Sequence, residues 1–199
     1  SPFIVEFARR TFGVPMLLGP VEQQPIAPRS IDAVVMMDVL EHLPDPLGTV
    51  RHVAGLLNPD GVLVVQTPCY PAPASWDELV ARDDYFLNHL RGMAREHLYV
   101  FSRASAAELM RRAGLPWVGF EPAIFHQYDM YFVAAAAEPA KATTERQAAA
   151  LEATPGGRLT LALLDAAGQR DLYLTEAQKR MDVINGLVAE VERLRKAAM

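Results

Sequence analysis

Apolar residues in the first two thirds of the chain form short groups with two kinds of spacing. Helical spacing predicts helices over 1–13, 47–57 and 102–115. Apolar runs predict strands over 14–19, 30–39, 62–67, 117–125 and 130–137. The runs 30–39 and 62–67 are almost continuously apolar, which is typical of parallel strands buried on both faces. This order predicts an α/β fold whose sheet is mainly parallel, with one antiparallel strand near an edge.

Residues 68–96 interrupt this pattern with three prolines and four aromatic side chains. A connection of this length inside a compact domain usually has a function of its own. We therefore predict that this segment is a lid or a substrate-binding insertion, with Tyr70 and Trp76 on its substrate side.

The composition changes after Ala137, where alanine, threonine and glutamate become frequent. We predict a domain over 1–137, a linker over 138–158 and a helical tail over 159–199. Apolar residues in the tail alternate by three and four, as in a coiled coil: Leu174, Ala177, Met181, Ile184, Val188 and Val191. Three interpretations stay open: the tail packs on its own domain, forms a homodimer, or is a stalk to another module.

Charge and composition narrow the class of protein. Nineteen basic and twenty-four acidic residues give a net charge of −5, which argues against a broad surface for nucleic acid or anionic membrane. No apolar run approaches the roughly 20 residues that cross a bilayer. The single cysteine, Cys69, excludes an internal disulfide and suits a reducing compartment. We expect a cytoplasmic protein that binds neither nucleic acid nor membrane.

Two motifs carry a family resemblance. The first predicted long strand ends in D-V-L-E-H-L-P-D-P at 38–46, and L-x-P-D-G-x-L follows at 57–63. With the order of elements up to about residue 137, they resemble the class I S-adenosylmethionine-dependent methyltransferases. The nearest likeness is to the branch of ubiquinone-type and bacterial small-molecule enzymes. The resemblance implies an incomplete Rossmann-like methyltransferase sheet, and the sequence pattern adds a C-terminal helical tail.

The chain departs from that family at its start. The family begins with a strand and a glycine-rich loop, (D/E)-x-G-x-G-x-G, and then a second strand that ends in an acid. Neither strand nor the loop is in this sequence. We therefore expect an N-terminally truncated piece of a longer methyltransferase. The alternative is a natural chain whose missing strands come from a partner.

The resemblance also implies which residues bind the cofactor, S-adenosyl-L-methionine. Pro20, Val21 and Glu22 fall where the family contacts adenine, although Pro20 replaces the usual aspartate. Met37 and Asp38 fall where family members contact the methionyl end of the cofactor. A plain solvated loop at 20–22 and a core role for Met37 are the alternatives.

The remaining polar residues are candidates for the acceptor side. The candidate bases are His42, His97 and His126, and the candidate substrate residues are Glu41, Tyr70, Trp76 and Tyr128. In the related small-RNA 2′-O-methyltransferases, an E-x-x-E-H segment and a later histidine bind magnesium. The matching set here is Asp38, Glu41, His42 and His97. A divalent metal is not favoured over a metal-free role beside the substrate, and a purely structural role is the third reading.

We therefore expect a methyltransferase that moves a methyl group to oxygen or nitrogen of a small-molecule acceptor. The alternative from another class is a non-catalytic assembly module that dimerises through its C-terminal helix.

Overall fold

The computed structural model describes residues 1–90, 97–123 and 129–197. The chain divides into two units, Ser1–Pro139 and Ala140–Met199. The helices of the first unit are α1 (Pro2–Phe12), α2 (Pro46–Leu56), α3 (Trp76–Ala81) and α4 (Arg103–Ala113). Its strands are β1 (Ile31–Met37), β2 (Leu57–Pro68), β3 (Trp117–Glu121) and β4 (Asp129–Ala135). Short 3₁₀ turns occur at Val21–Gln23, Leu40–His42 and Tyr85–Leu90.

The four strands form one sheet in the order β1-β2-β4-β3. β1 and β2 are parallel, whereas β4 runs antiparallel to both β2 and β3. Three of the four strands therefore point the same way, and only β4 is reversed. The predicted α/β fold, with its mainly parallel sheet and antiparallel last strand, is confirmed.

The two faces of the sheet are covered to different degrees. Leu63 and Val65 of β2 are fully buried in one cluster with Val50 of α2 and Met110 of α4. We call this side the core face. Because side chains alternate along a strand, Val64 lies on the opposite side, which we call the outer face. Its register partner on β1, Val35, is 61% exposed.

The predicted strand at 14–19 is wrong, because this segment has no regular structure. Leu17 and Leu18 are about half exposed there, and no described strand pairs with them. An isolated extended segment leaves its backbone groups without ladder partners, so an apolar run alone does not make a strand. The predicted helix before it is confirmed as α1.

Helix α4 has the boundaries that its sequence predicts. The Ser102 hydroxyl accepts a hydrogen bond from the backbone N–H of Ser105, as an N-cap does. Gly114 ends the helix with φ +98, a left-handed conformation that favours glycine. The cap and the glycine fix the two ends of α4.

The predicted lid contains regular structure that its sequence did not reveal. Ser75 and Glu78 form a reciprocal capping box that begins α3. Leu79, Phe86 and Leu87 form a small buried cluster of their own, separate from the main core. The described part of this segment therefore packs around a small core of its own.

The second unit contains α5 (Thr144–Glu152), which lies in the segment 138–158, and the 43-residue helix α6 (Pro155–Ala197). Among the residues of α6 with described side chains, only Gly157 is buried within this single chain. No helix among the described residues is both long and apolar enough to span a membrane.

We expect the core face of β2 to dominate stability. Replacing Leu63 with alanine should lower the free energy of unfolding by about 2–5 kcal/mol, because it leaves a cavity in a fully buried cluster. Val35→Ala on the neighbouring strand is the matched control, with an expected loss below about 1 kcal/mol. Urea unfolding followed by circular dichroism measures both, and equal losses would contradict the assignment of the two faces.

Candidate active site

The parallel pairing of β1 and β2 brings two segments of chain to one edge of the sheet. The backbone N–H of Asp38, just after β1, donates to the carbonyl of Gln66 over 3.0 Å. Asp38 has φ +54, which is uncommon for a residue other than glycine. Such conformations concentrate at functional sites. This carboxyl edge is also where α/β proteins bind their ligands.

Glu41 is the buried acid of this edge, with 1% of its surface exposed. It lies in the 3₁₀ turn Leu40–His42, which the fully buried Leu40 anchors in the core. Its Oε2 atom accepts a hydrogen bond of 2.8 Å from the hydroxyl of Thr67, which is also fully buried. A buried carboxylate requires such partners, since burial without them is costly.

Two histidines face the other oxygen of Glu41. The Oε1 atom lies 3.8 Å from Nε2 of His42 and 4.0 Å from Nε2 of His97. The two imidazole rings are 4.7 Å apart between centroids. His97 is far away in sequence, and backbone bonds bring it here: the Glu41 carbonyl accepts the N–H groups of Leu98 and Tyr99 over 2.8 and 3.2 Å. We call Glu41, His42 and His97 the acid–histidine cluster.

Asp38 lies outside this cluster. Among the described residues, the side chains whose ligand atoms all lie within 4.8 Å of one another are Glu41, His42 and His97. Asp38 instead accepts a hydrogen bond of 3.3 Å from the side-chain amide of Gln66. Of the four candidate metal ligands, Glu41, His42 and His97 therefore lie together. Asp38 pairs with Gln66 instead.

The turn that carries Pro20, Val21 and Glu22 is attached to helix α2. The Thr49 hydroxyl donates to the Glu22 carboxylate, and this hydrogen bond lowers the pKa of Glu22. Val21 is half-buried and packs against the main core. The Glu22 side chain is thus already engaged within the protein, and the turn is held in place from two sides.

The candidate substrate residues occupy different environments. Tyr70 is half-buried, and its hydroxyl donates to the Ala74 carbonyl over 2.8 Å while its ring meets Phe86 edge-on. Trp76 begins α3 and is 50% exposed. Burial raises the pKa of the neighbouring Cys69 thiol, which keeps that thiol protonated. The remaining candidates, His126 and Tyr128, lie outside the described residues.

Sequence reasoning missed Gln66 and Thr67, the two residues that hold the acids. A signal was available, because both are polar and they end a strand that is otherwise apolar. In the structure they lie near the end of β2, beside the end of β1 that Asp38 follows. Polar residues at that point of a buried strand need partners, and the acids are the nearest ones.

Comparison with known proteins identifies the family. A family model described as a methyltransferase domain matches residues 13–118, which is more than half of the chain. The chain belongs to this methyltransferase family. The matched region begins just after α1 and contains the parallel strands β1 and β2 and the acid–histidine cluster.

Individual methyltransferases resemble shorter parts of the chain. A ubiquinone biosynthesis O-methyltransferase of Neisseria meningitidis is 33% identical over 88 residues, which are 44% of this chain and 37% of that protein. A protein of the same name from Xanthomonas campestris is 52% identical over 40 residues, 20% of this chain and 17% of that protein. The matches thus span little more than a third of the relatives at most.

A solved methyltransferase structure supports the fold. A SAM-dependent methyltransferase from Thermotoga maritima superposes with a TM-score of 0.51 and 20% identity, and the match covers 67% of this chain and 69% of that one. At this identity the likeness concerns the fold alone.

We expect Thr49→Val to raise the pKa of Glu22 towards its ordinary value, because the largest stabilising contact of the carboxylate is removed. The native contact stabilises the folded state above the ordinary carboxyl pKa, and that contribution is lost as the pH falls through the lowered value. Carboxyl-carbon NMR titration measures the change. Glu78, whose pKa is lowered by hydrogen bonds from Ser75, should stay unchanged as a control. An unchanged Glu22 would contradict the contact.

Proposed function

We propose that this chain belongs to an enzyme that transfers a methyl group from S-adenosyl-L-methionine to oxygen or nitrogen of a small-molecule acceptor. The observation that carries the proposal is the acid–histidine cluster at the carboxyl edge of a methyltransferase sheet. A buried carboxylate beside two imidazoles is suited to removing a proton from an acceptor.

The residues at the end of β1 fit a cationic cofactor. Asp38 places an exposed carboxylate there, and half-buried Met37 precedes it. When bound, S-adenosyl-L-methionine supplies an activated methyl group on a positively charged sulfonium. A carboxylate suits the ammonium group of the same molecule, and an apolar thioether suits its methyl group. The turn at Pro20, Val21 and Glu22 remains our candidate for the adenine contact. The backbone N–H of Val21 is the candidate donor to a ring nitrogen, and the Glu22 carboxylate already accepts the Thr49 hydroxyl.

The acid–histidine cluster supplies the base. An imidazole nitrogen of His42 or His97 accepts the proton from an acceptor hydroxyl or amino group as methyl transfer proceeds in line. The Glu41 carboxylate, 3.8 and 4.0 Å away, stabilises the imidazolium that forms. The hydrogen bond from the Thr67 hydroxyl offsets part of the free energy that burial of that carboxylate costs. The lid and its aromatic side chains would enclose a small acceptor, and the relatives named O-methyltransferases favour oxygen as the receiving atom.

A divalent metal is the second candidate for the same cluster. One carboxylate oxygen and two imidazole nitrogens are donors that Zn²⁺ and Mn²⁺ accept more readily than Mg²⁺. The separations between Glu41 Oε1 and the two nitrogens are longer than hydrogen bonds. We favour the metal-free base, and the experiment below includes both.

The direct test uses the full-length gene product, labelled S-adenosyl-L-methionine and a panel of small hydroxyl and amino compounds. We expect methyl transfer, and we expect Glu41→Gln to lower turnover by about a hundredfold or more, as losing general-base support does. Glu108→Gln, an exposed glutamate on α4, is the matched control and should keep turnover.

Three outcomes separate the candidates. Transfer that survives EDTA supports the metal-free base. Loss in EDTA with recovery on added Zn²⁺, together with Zn²⁺ binding that Glu41→Gln abolishes in calorimetry, supports the metal centre. A full-length protein that neither transfers methyl nor binds S-adenosylhomocysteine contradicts the proposed function.

The second candidate function is that of an assembly module, and helix α6 favours assembly as a homodimer. A stripe of apolar side chains on α6 is about half exposed: Leu174, Met181, Ile184, Val188 and Val191. Charged neighbours pair within the helix, as Arg180 does with Glu176 and Arg193 with Glu190. An apolar stripe flanked by charges that pair within the helix fits a second copy of itself better than a charged partner. The dimer is compatible with the enzyme.

We expect Ile184→Glu to halve the mass in solution, because the charge falls on the proposed seam of the dimer. Val183→Glu is the matched control, since this neighbour is 63% exposed and lies off the seam. Light scattering measures the mass of both variants. If the wild-type protein is already a monomer, the dimer proposal is contradicted, and the methyltransferase proposal is unaffected.

A further inference from the structure

Two consecutive residues at the end of β2 hold the two acids of the first motif. The side-chain amide of Gln66 donates to Oδ1 of Asp38 over 3.3 Å, and the Gln66 carbonyl accepts the Asp38 N–H over 3.0 Å. Thr67 donates its hydroxyl to Oε2 of Glu41 over 2.8 Å. Each acid thus accepts a side-chain hydrogen bond from a different residue of the neighbouring strand.

The alternation of a strand separates the two pairs. Gln66 shares the outer face with Val64, and Thr67 shares the core face with Val65. Asp38 reaches the outer face because its left-handed backbone, φ +54, turns the chain as it leaves β1. Glu41 arrives at the core face three residues later, in the 3₁₀ turn that Leu40 anchors.

The orientation of the Gln66 amide follows from chemistry. A carboxylate only accepts hydrogen bonds, so the NH₂ end of the amide must face Asp38. The carbonyl end then points elsewhere, and it is buried without a hydrogen-bond partner among the described residues. Gln66 is itself 2% exposed, so its side chain has little freedom to release Asp38.

We propose that Gln66 and Thr67 are positioning residues of two separate subsites, Gln66 setting Asp38 for the cofactor and Thr67 setting Glu41 for the acceptor. This assignment rests on the proposed function. It explains why acids only three positions apart in sequence do not form one cluster. A bound donor and an acceptor would then meet across the end of β2, each fixed by its own residue.

The test is a crossed pair of variants with two readouts. Calorimetry measures the affinity of the full-length protein for S-adenosylhomocysteine, and the ring ¹⁵N signals of His42 and His97 at a single pH report the acid–histidine cluster. Gln66→Leu should weaken nucleoside binding by about tenfold, the effect of losing an oriented charged contact, and leave the ring signals in place. Thr67→Val should shift the ring signals and keep the affinity within about twofold.

Two further variants serve as controls. Thr67→Ser keeps the hydroxyl and should restore the native ring signals. Asn58→Leu removes an amide–carboxylate pair of the same kind, with Asp32, at the opposite end of the same two strands. It should change neither readout. Thermal unfolding of each variant identifies any that fails to fold, and Thr67→Ala and Gln66→Ala, which also remove the two contacts, then replace Thr67→Val and Gln66→Leu.

The outcomes are decisive in both directions. Two subsites are supported if Gln66→Leu changes only the affinity and Thr67→Val changes only the ring signals. The two-subsite proposal is contradicted if each variant changes both the affinity and the ring signals, or neither. If the wild-type protein does not bind S-adenosylhomocysteine, the proposed function fails and the Gln66 assignment fails with it. The ring signals of Thr67→Val still decide the Thr67 assignment in that case.

Discussion

The buried carboxylate of Glu41 is the constraint on which the rest of the site depends. It accepts the Thr67 hydroxyl through one oxygen and faces two imidazoles with the other. Its backbone carbonyl takes the N–H groups of Leu98 and Tyr99, which joins a distant segment to the end of β1. A carboxylate with 1% exposure depends on such polar contacts, because burial without them is costly.

The sheet supplies the second organising principle, because β1 and β2 are parallel and end at the same edge. Alternation along β2 then assigns neighbouring residues to opposite faces, Gln66 to the outer face and Thr67 to the core face. A methyltransferase has to bring a donor and an acceptor together while binding them separately. In our proposal, the two faces at the end of β2 provide that separation, with Gln66 on one face and Thr67 on the other.

Much of this could be predicted from the sequence, and the failures have physical causes. The strands at 30–39 and 62–67 follow from their apolar runs, and helix α4 follows from Ser102 and Gly114, which mark its ends. Burial on both faces was wrong for β1, because Val35 on its outer face is 61% exposed and an apolar run does not say what covers it. The segment 14–19 was predicted wrongly, since a strand depends on a pairing partner that a local pattern does not contain. The motif likewise gave Glu41 and His42 as neighbours, but whether Asp38 joins them depends on its positive φ.

We propose that the carboxyl edge of β1 and β2 binds the methyl donor beside the acid–histidine cluster. Hydrogen–deuterium exchange of the full-length protein, with and without S-adenosylhomocysteine, tests this proposal most directly. We expect the ligand to slow exchange in the segments around Val21, Asp38 and Gln66. We expect no change at 58–61, at the opposite edge of the sheet. Protection at 58–61 with none at the carboxyl edge would contradict it.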